Sequence, residues 1–357
     1  MADGVRALVI GCGNMGGSHA RAYAKLDGFE VVGVVDYDAE KRSGLAAELG
    51  GVAEFETAEQ GLAATRPDAV AVCTYPDTHA ELSLLALEAG AHVFVEKPLA
   101  VTVEEACKVA EAAAQARKKL VIGYILRVHP AWMKFIEIAR ELGKPLVMRM
   151  NLNQQSVGYM WDVHKNLMKS MSPIVDCGVH YVDVMCQMTR SKPVRVQAVG
   201  TRLTDEVPAE MYNYGMLQVQ FEDGSVGWYE AGWGPMMSEE AFFVKDVIGP
   251  KGCVSIVKSK EGDTGDSSDI ESHTKTNCLR VHDARVNSEN EFIKPDEWID
   301  TRDEPDHQEL CNREQAFFLK AIREDLDLRE HVEDAINSLR IVLAADRSVR
   351  SGQAIAL

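Results

Sequence analysis

The stretch "RALVIGCGNMGGSHARAY", residues 6–23, decides the fold of the first part of the chain. A short apolar strand pattern leads directly into Gly11, Gly13 and Gly16, and a helical pattern follows. Glycines at this spacing, G-x-G-x-x-G, permit a tight turn, a close approach of the backbone to a pyrophosphate, and close packing of the helix on the strand. We therefore predict a dinucleotide-binding turn with the N-terminus of the helix facing the phosphates. Two further loop residues are predicted to contact the cofactor, Asn14 and Met15.

An acidic residue, Asp36, ends the next strand pattern, "FEVVGVVD". A carboxylate at this place accepts hydrogen bonds from the adenosine ribose hydroxyls and repels a 2′-phosphate. NAD is therefore predicted in preference to NADP, although Lys41 and Arg42 offer positive charges that suit a 2′-phosphate. The alternative without a ligand is a plain strand-to-helix turn in which Asp36 only caps a helix.

From residue 6 to about residue 125, short apolar runs rich in β-branched residues alternate with amphipathic helical patterns. The clearest strand patterns are "RALVIG", "FEVVGVVD", "AVAVCTYP", "HVFVEKP" and "LVIGY". Strands that are apolar throughout and are joined by helices form a parallel sheet covered on both faces, with right-handed crossovers. We predict a doubly wound α/β domain, a Rossmann fold, over residues 1–123.

The pattern changes after residue 123. A helical run leads to the strand pattern "PLVMRMNLNQ", then to a long helix, "PIVDCGVHYVDVMCQM", and then to further strands. In one of these strands Leu217, Val219 and Phe221 alternate with polar residues, which indicates a sheet with one buried face. We predict a C-terminal α+β domain over residues 124–357 with a mostly antiparallel open sheet. Within it, the polar segment 258–276 is predicted to be a solvated surface loop, with a lid as the alternative.

Composition limits the classes of function. A chain of 357 residues with 46% hydrophobic residues suits two soluble domains, and no apolar run approaches the roughly 18 residues of a membrane span. The start, "MADGVRALVIG", has neither a basic leader nor a cleavage site, so a cytoplasmic protein is expected. The net charge of −17 repels a phosphate backbone and argues against a nucleic-acid partner. The eight cysteines lack C-x-x-C pairing, so free thiols and no structural metal are expected.

A lysine stands at the end of a buried strand pattern, in "HVFVEKPLA", residues 92–100. The carboxyl ends of the strands form the edge at which open α/β sheets bind their ligands. Pro98 cannot donate a ladder hydrogen bond, so it ends the strand and restricts the direction in which Lys97 points. Lys97 is therefore a candidate functional residue and not part of an ordinary solvated face.

An acid and a histidine lie four residues apart in "DCGVHYVD", residues 176–183. On a helix this spacing places Asp176 and His180 on one face, about one turn apart. A metal site needs a third ligand, and Cys177 lies on a different face. A nucleophilic triad lacks a serine on a G-x-S-x-G elbow. The remaining alternatives are a proton relay and a pair that has only a structural role.

These motifs together are similar to the glucose-fructose oxidoreductase, inositol dehydrogenase and rhizopine catabolism family, written Gfo/Idh/MocA. The resemblance rests on "GCGNMG", "THAELSLLALEAGAHVFVEKPLA" and "DCGVHYVD", and it extends to the closing "AADRSVRSGQAIAL". It implies an NAD(P)-binding domain, a substrate domain whose open sheet often forms subunit contacts, and an active site in the cleft between them. A homodimer or homotetramer is the implied assembly.

The resemblance also assigns site residues by position. Three positions match the catalytic residues of the family, Lys97, Asp176 and His180. Four match positions along the cofactor, the last at its nicotinamide end: Thr74, Pro76, His79 and Glu96. Two match positions near the substrate, Tyr124 and Arg127. Weaker candidates for the pocket, without such a match, are Asn153, Trp161, His164 and Trp233, and core burial is the alternative for the two tryptophans. Many relatives have a Gly-Gly pair where this chain has Ser172 and Pro173, so the turn before the motif is expected to differ.

Hydride transfer gives the acid and the histidine a chemical role. An alcohol must lose its proton as the hydride leaves, and neutral His180 is suited to take that proton. Asp176 is expected to hydrogen-bond the substrate or steady the imidazolium, and Lys97 to stabilise the negative charge on the reacting oxygen. The expected activity is an NAD(P)-dependent dehydrogenase of a sugar, cyclitol or related polyol. The alternatives are a glycosidase that uses NAD for transient oxidation and a protein that binds dinucleotide or sugar without turnover.

Overall fold

The computed structural model describes residues 4–238, 244–257 and 274–357. Within these ranges the strands are, in chain order, β1 Val5–Ile10, β2 Phe29–Val35, β3 Ala53–Phe55, β4 Ala69–Val72, β5 His92–Glu96, β6 Leu120–Gly123, β7 Val147–Gln154, β8 Pro193–Thr201, β9 Tyr214–Phe221, β10 Val226–Trp233, β11 Lys245–Gly249, β12 Gly252–Val257, β13 Cys278–Asp283, β14 Glu297–Asp300 and β15 Ile355–Ala356. The α-helices are α1 Asn14–Lys25, α2 Ala39–Glu48, α3 Ala58–Thr65, α4 His79–Glu88, α5 Val103–Ala116, α6 Pro130–Glu141, α7 Gly158–Leu167, α8 Pro173–Asp176, α9 Gly178–Thr189, α10 His307–Arg323 and α11 Arg329–Ser351. Among the helices in these ranges, none has both the length and the apolar character that crossing a bilayer requires.

The chain divides into two compact units. Unit 1 consists of Met1–Ile125 and Pro305–Ile336, and unit 2 consists of Leu126–Glu304 and Asn337–Leu357. The predicted boundary after residue 123 lies close to the end of the first segment of unit 1. Residues 305–336 differ from the prediction, because they belong to unit 1 and not to the C-terminal domain.

Packing of α10 explains why this later segment belongs to unit 1. Its Phe318 is fully buried. The centroid of the Phe318 ring lies 6.3 Å from that of Phe29 in β2 and 6.2 Å from that of Phe94 in β5. These contacts join residues that are far apart in sequence, and local periodicity does not show which sheet an amphipathic helix covers.

Unit 1 contains a six-stranded sheet in the order β3-β2-β1-β4-β5-β6. All of its neighbouring strands are parallel. The strand order reverses between β1 and β4, and the crevice outside the carboxyl ends of the strands at such a reversal is where open α/β sheets bind ligands. The predicted doubly wound domain is confirmed. Its strand β3 was not predicted, because three residues are too few to show a period.

Unit 2 contains a nine-stranded sheet in the order β14-β13-β12-β11-β7-β10-β9-β8-β15. β7 and β10 are parallel, and the other pairs are antiparallel. In β9, Leu217, Val219 and Phe221 are buried while Gln218 and Gln220 are exposed, as the alternation predicted. Helices α6, α8 and α9 pack against strands of this sheet. The predicted α+β domain with a mostly antiparallel sheet is confirmed.

The predicted surface loop at residues 258–276 falls mostly on residues 258–273, which lie outside the described residues. The structure describes its last three residues, of which Thr274 and Thr276 are buried. The N–H of Thr276 donates to Oε2 of Glu304 at 2.8 Å. This end of the segment is therefore part of the packed structure of unit 2.

Candidate functional site

The glycine loop of unit 1 has the shape that a pyrophosphate requires. Gly11 has φ +97°, and a Cβ there would lie 2.5 Å from the carbonyl oxygen of Cys73. A Cβ on Gly16 would lie 1.8 Å from the carbonyl oxygen of Gly11, whereas a Cβ on Gly13 would meet no atom within 4 Å. Helix α1 begins directly after Gly13, which has no side chain to cap the first N–H groups. The open side of the loop therefore presents backbone and a helix N-terminus, so it fits a dinucleotide phosphate.

Asp36 lies against this loop at the end of β2. Its Oδ2 accepts from the N–H of Cys12 at 2.7 Å, and its Oδ1 accepts from the N–H of Asp38 at 2.9 Å. Each carboxylate oxygen has two lone pairs, so both retain capacity for ribose hydroxyls. The backbone contacts orient the carboxylate for that role.

The two cations that suit a 2′-phosphate are engaged by other groups. Nη1 of Arg42 donates to the carbonyl oxygen of Asp36 at 2.6 Å, and its Nε lies 3.5 Å from Glu54. Nζ of Lys41 lies 3.7 Å from the Asp38 carboxylate. These ion pairs make both cations poorer partners for a phosphate than free side chains at the same positions.

The predicted cofactor residues after β4 form a compact turn. Pro76 begins a 3-10 helix, and Oγ1 of Thr74 lies 2.7 Å from Oγ1 of Thr78. The ring of His79 is buried, with Nδ1 2.7 Å from the carbonyl oxygen of Pro98 and Nε2 3.0 Å from that of Thr74. The imidazole therefore contacts protein backbone through both of its nitrogens. That this segment lies along the cofactor stays a prediction.

Glu96 and Lys97 end β5 at the carboxyl edge of the sheet. Oε1 of Glu96 lies 2.7 Å from Nε2 of His19, and Oε2 accepts from the N–H of Lys97 at 3.1 Å. Burial raises the pKa of Glu96, but the hydrogen bond from His19 and the positive charge of Lys97 outweigh burial, so the pKa lies below its usual value. Lys97 is half-buried, and its peptide bond to Pro98 is cis. Glu96 therefore orients the lysine backbone.

His19 was not predicted as a site residue from the sequence. The residue lies on α1, three positions after the last glycine of the fingerprint, and is fully buried. A polar residue on the apolar face of a predicted helix is the signal that could have indicated it, because buried polar groups need partners.

In unit 2, Asp176 and His180 are both partly accessible. From Ser172 to Cys186 they are the two residues that are not buried. The motif is not one continuous helix as predicted, because α8 ends at Asp176 and α9 begins at Gly178. Cys177 keeps right-handed helical angles, and the N–H of His180 donates to the carbonyl oxygen of Cys177 at 3.2 Å, three residues earlier. The tighter turn still leaves both side chains partly accessible.

Arg127 anchors the helix that carries His180. Its Nε donates to Oδ2 of Asp183 at 2.8 Å and its Nη2 to Oδ1 at 2.5 Å. Asp183 is buried on α9 and also accepts from Gln187 at 2.9 Å. The guanidinium of Arg127 therefore binds a buried carboxylate of the protein with two of its nitrogens. The other predicted substrate residue of this segment, Tyr124, is buried at the end of β6.

The remaining pocket candidates are buried in unit 2. Nδ2 of Asn153 donates to Glu230 at 2.6 Å. The ring of His164 stacks on Trp233 with centroids 4.4 Å apart. Trp161 is buried, and its indole N–H donates to a glutamate carboxylate. The burial of both tryptophans favours the core alternative, and a substrate contact for them stays a prediction.

Two family models match the chain. Residues 5–124 match the oxidoreductase family with an NAD-binding Rossmann fold, and residues 136–254 match the GFO/IDH/MocA C-terminal domain. The chain belongs to the Gfo/Idh/MocA family of oxidoreductases. This confirms the resemblance predicted from the motifs, and the prediction of a nicotinamide dinucleotide agrees with the NAD-binding description of the family.

Individual relatives are dehydrogenases of sugars and inositols. The chain is 33% identical over 196 residues to UDP-N-acetylglucosamine 3-dehydrogenase from Acidithiobacillus ferrooxidans, covering 55% of this chain and 58% of the relative. It is 29% identical over 230 residues to inositol 2-dehydrogenase 3 from Saccharopolyspora erythraea, covering 62% and 64%. In each case the match spans less than two thirds of the relative. The scyllo-inositol dehydrogenase structure from Lactobacillus casei, 19% identical with a TM-score of 0.76 over 99% and 98% of the two chains, has the same fold.

Proposed function

We propose that this chain is an NAD-dependent dehydrogenase that interconverts a secondary alcohol and a ketone on a sugar, cyclitol or related polyol. The observation that carries the proposal is the accessibility of Asp176 and His180 in a run that is otherwise buried from Ser172 to Cys186. Two ionisable side chains that stay partly accessible in an otherwise buried run can reach a ligand, so their accessibility favours a chemical role. The named activities of the relatives support the same reaction class.

His180 is proposed as the acid and base. In its neutral form an imidazole nitrogen accepts the hydroxyl proton of the substrate during oxidation and returns it during reduction. Asp176 accepts a hydrogen bond from the substrate or stabilises the imidazolium. The thiol of Cys177 lies 3.5 Å from Oδ2 of Asp176, which supports the orientation of that carboxylate.

Lys97 is proposed to bind the reacting oxygen. Its ammonium group stabilises the negative charge that develops on this oxygen as the proton leaves. A half-buried ammonium interacts more strongly with such a charge than a solvated one, because the local dielectric constant is lower.

The glycine loop, the N-terminus of α1 and Asp36 are proposed to bind NAD. When bound, the nicotinamide supplies the hydride acceptor. Asp36 accepts from the ribose hydroxyls, and its charge disfavours a 2′-phosphate. Engagement of Arg42 and Lys41 by neighbouring carboxylates supports NAD over NADP.

The proposal includes assembly and location. A homodimer or homotetramer formed through the exposed face of the unit 2 sheet is supported by apolar side chains there, since Val147, Val199 and Val226 are exposed. A cytoplasmic location is supported by eight free cysteines, because thiols persist in a reducing compartment.

A substrate panel tests the proposed function. Sugars, inositols and their keto forms are assayed with NAD and with NADP, while absorbance of the reduced nicotinamide and release of any aglycone are measured. We expect reduced nicotinamide to form from at least one polyol, with NAD preferred. Aglycone release without net absorbance change would instead indicate the NAD-using glycosidase, and ligand binding without any reaction would indicate a sensor.

A further inference from the structure

Two buried histidines of unit 1 lie on either side of Lys97. His19 is on α1 and His79 begins α4, and their side chains are 0% and 1% exposed. Neither imidazole is accessible to a substrate at this exposure. Their ring nitrogens contact the residues directly before and directly after Lys97.

His19 acts on the residue before the lysine. Its Nδ1 lies 2.8 Å from the side-chain amide nitrogen of Gln315 on α10, so Nδ1 accepts and Nε2 carries the proton. Nε2 then donates to Oε1 of Glu96 at 2.7 Å, and Oε2 of Glu96 accepts from the N–H of Lys97 at 3.1 Å. A chain of three hydrogen bonds therefore runs from α10 to the backbone of Lys97.

His79 acts on the residue after the lysine. Its Nδ1 is 2.7 Å from the carbonyl oxygen of Pro98, and its Nε2 is 3.0 Å from the carbonyl oxygen of Thr74. Carbonyl oxygens only accept, so a neutral ring donates to one of them and a protonated ring donates to both. Burial lowers the pKa of His79, and the two carbonyl contacts oppose this shift. With its proton on Nδ1, at the shorter of the two contacts, the ring donates to Pro98 and ties the segment after β5 to the start of α4.

We propose that His19 and His79 are positioning residues that fix the backbone on either side of Lys97 and so place its ammonium group. The inference rests on the proposed function, because it takes Lys97 as the group that binds the reacting oxygen. A lysine has a long flexible stem, and its anchor point decides which region its charge can reach. Since misplacement of a catalytic group by about 1 Å can cost up to about a hundredfold in rate, loss of either anchor is expected to lower turnover.

A metal site is the competing interpretation of the His19 region. Ligand atoms of His19, Cys311 and Glu314 all lie within 4.8 Å of one another in the described part of the chain. Both ring nitrogens of His19 already have hydrogen-bond partners. Burial raises the pKa of the Cys311 thiol and of Glu314, so both ligands favour the protonated form that a metal must displace. The geometry therefore favours the positioning role.

The test compares leucine variants of three histidines. His19→Leu and His79→Leu remove the two anchors of Lys97. His92→Leu is the matched control, since His92 is half-buried at the opposite end of β5 and its Nδ1 accepts from the N–H of Lys119 at 2.9 Å. Measurements are kcat and KM on the best substrate of the panel, NADH affinity by fluorescence, and the thermal midpoint.

We expect His19→Leu and His79→Leu each to lower kcat by about tenfold or more, while NADH affinity changes by less than about threefold. His92→Leu is expected to keep kcat within about twofold even where its thermal midpoint falls. His19→Gln retains a donor toward Glu96 and is expected to restore most of the lost kcat. If the two histidines had only a structural role, their leucine variants would lower the thermal midpoint without lowering kcat more than His92→Leu does.

The outcomes separate this inference from the function on which it rests. If Lys97→Ala abolishes turnover while His19→Leu and His79→Leu behave like His92→Leu, the positioning role is overturned and the proposed function stands. If Lys97→Ala retains turnover, the proposed function itself fails. If the leucine variants do not fold, His19→Asn and His79→Asn replace them, because asparagine is polar but too short to reach the same partners.

Discussion

The groups proposed for catalysis are anchored differently in the two units. In unit 1, Lys97 follows a strand, and side chains hydrogen-bond the backbone on both sides of it. In unit 2, Asp176 and His180 project from a run whose other residues are buried from Ser172 to Cys186, so packing determines their position. A few polar contacts therefore determine the position of the lysine, whereas the positions of the acid and the histidine depend on how α8 and α9 pack on their sheet.

The largest effect is expected for the buried ion pair between Arg127 and Asp183, which supports α9 in unit 2. Arg127→Met leaves Asp183 buried without its guanidinium partner, and such a loss costs about 3–5 kcal/mol. Urea denaturation measures the free energy of unfolding. Arg149→Met is the matched control, since Arg149 makes the same fork to Asp246 with half of its side chain exposed and exposed pairs contribute about 0–1 kcal/mol. Equal losses in the two variants would contradict the distinction between buried and exposed forks.

The second largest effect is expected for His180, which is partly accessible on α9. His180→Ala removes the proposed acid and base, so turnover is expected to fall by at least about a hundredfold while NADH still binds. Steady-state kinetics and NADH fluorescence provide the two measurements. His282→Ala serves as control, because His282 lies on β13 with Asp296 as its partner at 2.7 Å. Near-normal turnover in folded His180→Ala would remove His180 from the mechanism.

A buried lysine of unit 2, Lys245, shows how burial away from water changes the pKa of an ammonium group. Burial lowers the pKa of Lys245 from 10.5 to about 7. The unfolded chain therefore binds more protons than the folded chain between these values, and the free energy of unfolding rises with pH from about 7 to 10.5.

Lys245→Met removes this charge from the core. We expect stabilisation at pH 7 by about 1–3 kcal/mol and loss of this part of the pH dependence, measured by urea denaturation at several pH values. Lys134→Met is the exposed control. A variant that is less stable at pH 7 would show that the polar contacts of Lys245, including its donation to the Asn151 carbonyl oxygen at 2.9 Å, outweigh the cost of burial.

The smallest effect is expected at the cofactor loop. Asp36→Asn keeps the shape and removes the charge, so the ratio of kcat/KM for NAD over NADP should fall by about tenfold. Asp27→Asn is the control, since Asp27 is exposed and precedes the opposite end of β2. A ratio that is unchanged in Asp36→Asn would assign the cofactor preference to other residues.

The sequence predicted those features that local patterns encode. The glycine loop, the lysine at the end of β5 and the alternation of Leu217, Val219 and Phe221 in β9 each lie within one short segment. The domain membership of residues 305–336 was not predictable in this way, because it depends on contacts between Phe318 and distant strands.

In the candidate site, too, features within one short segment were predicted and features that depend on distant contacts were not. The spacing of Asp176 and His180 predicted a shared face, but not the tighter turn at Cys177 that separates α8 from α9. The residues that support Glu96, next to Lys97, were not predicted for a different reason. His19 and Gln315 are far from it in sequence, and only the folded unit brings them into one hydrogen-bonded chain.

The central claim is that this protein oxidises a carbinol carbon with NAD while His180 takes the hydroxyl proton. The most direct measurement uses a substrate from the panel that is deuterated at its carbinol carbons and determines the mass of the NADH formed. We predict deuterium in the nicotinamide ring of that NADH, and labelling at least about a hundredfold slower with His180→Ala. Deuterium found in the solvent and absent from NADH, or equal labelling rates in the two proteins, would contradict the account.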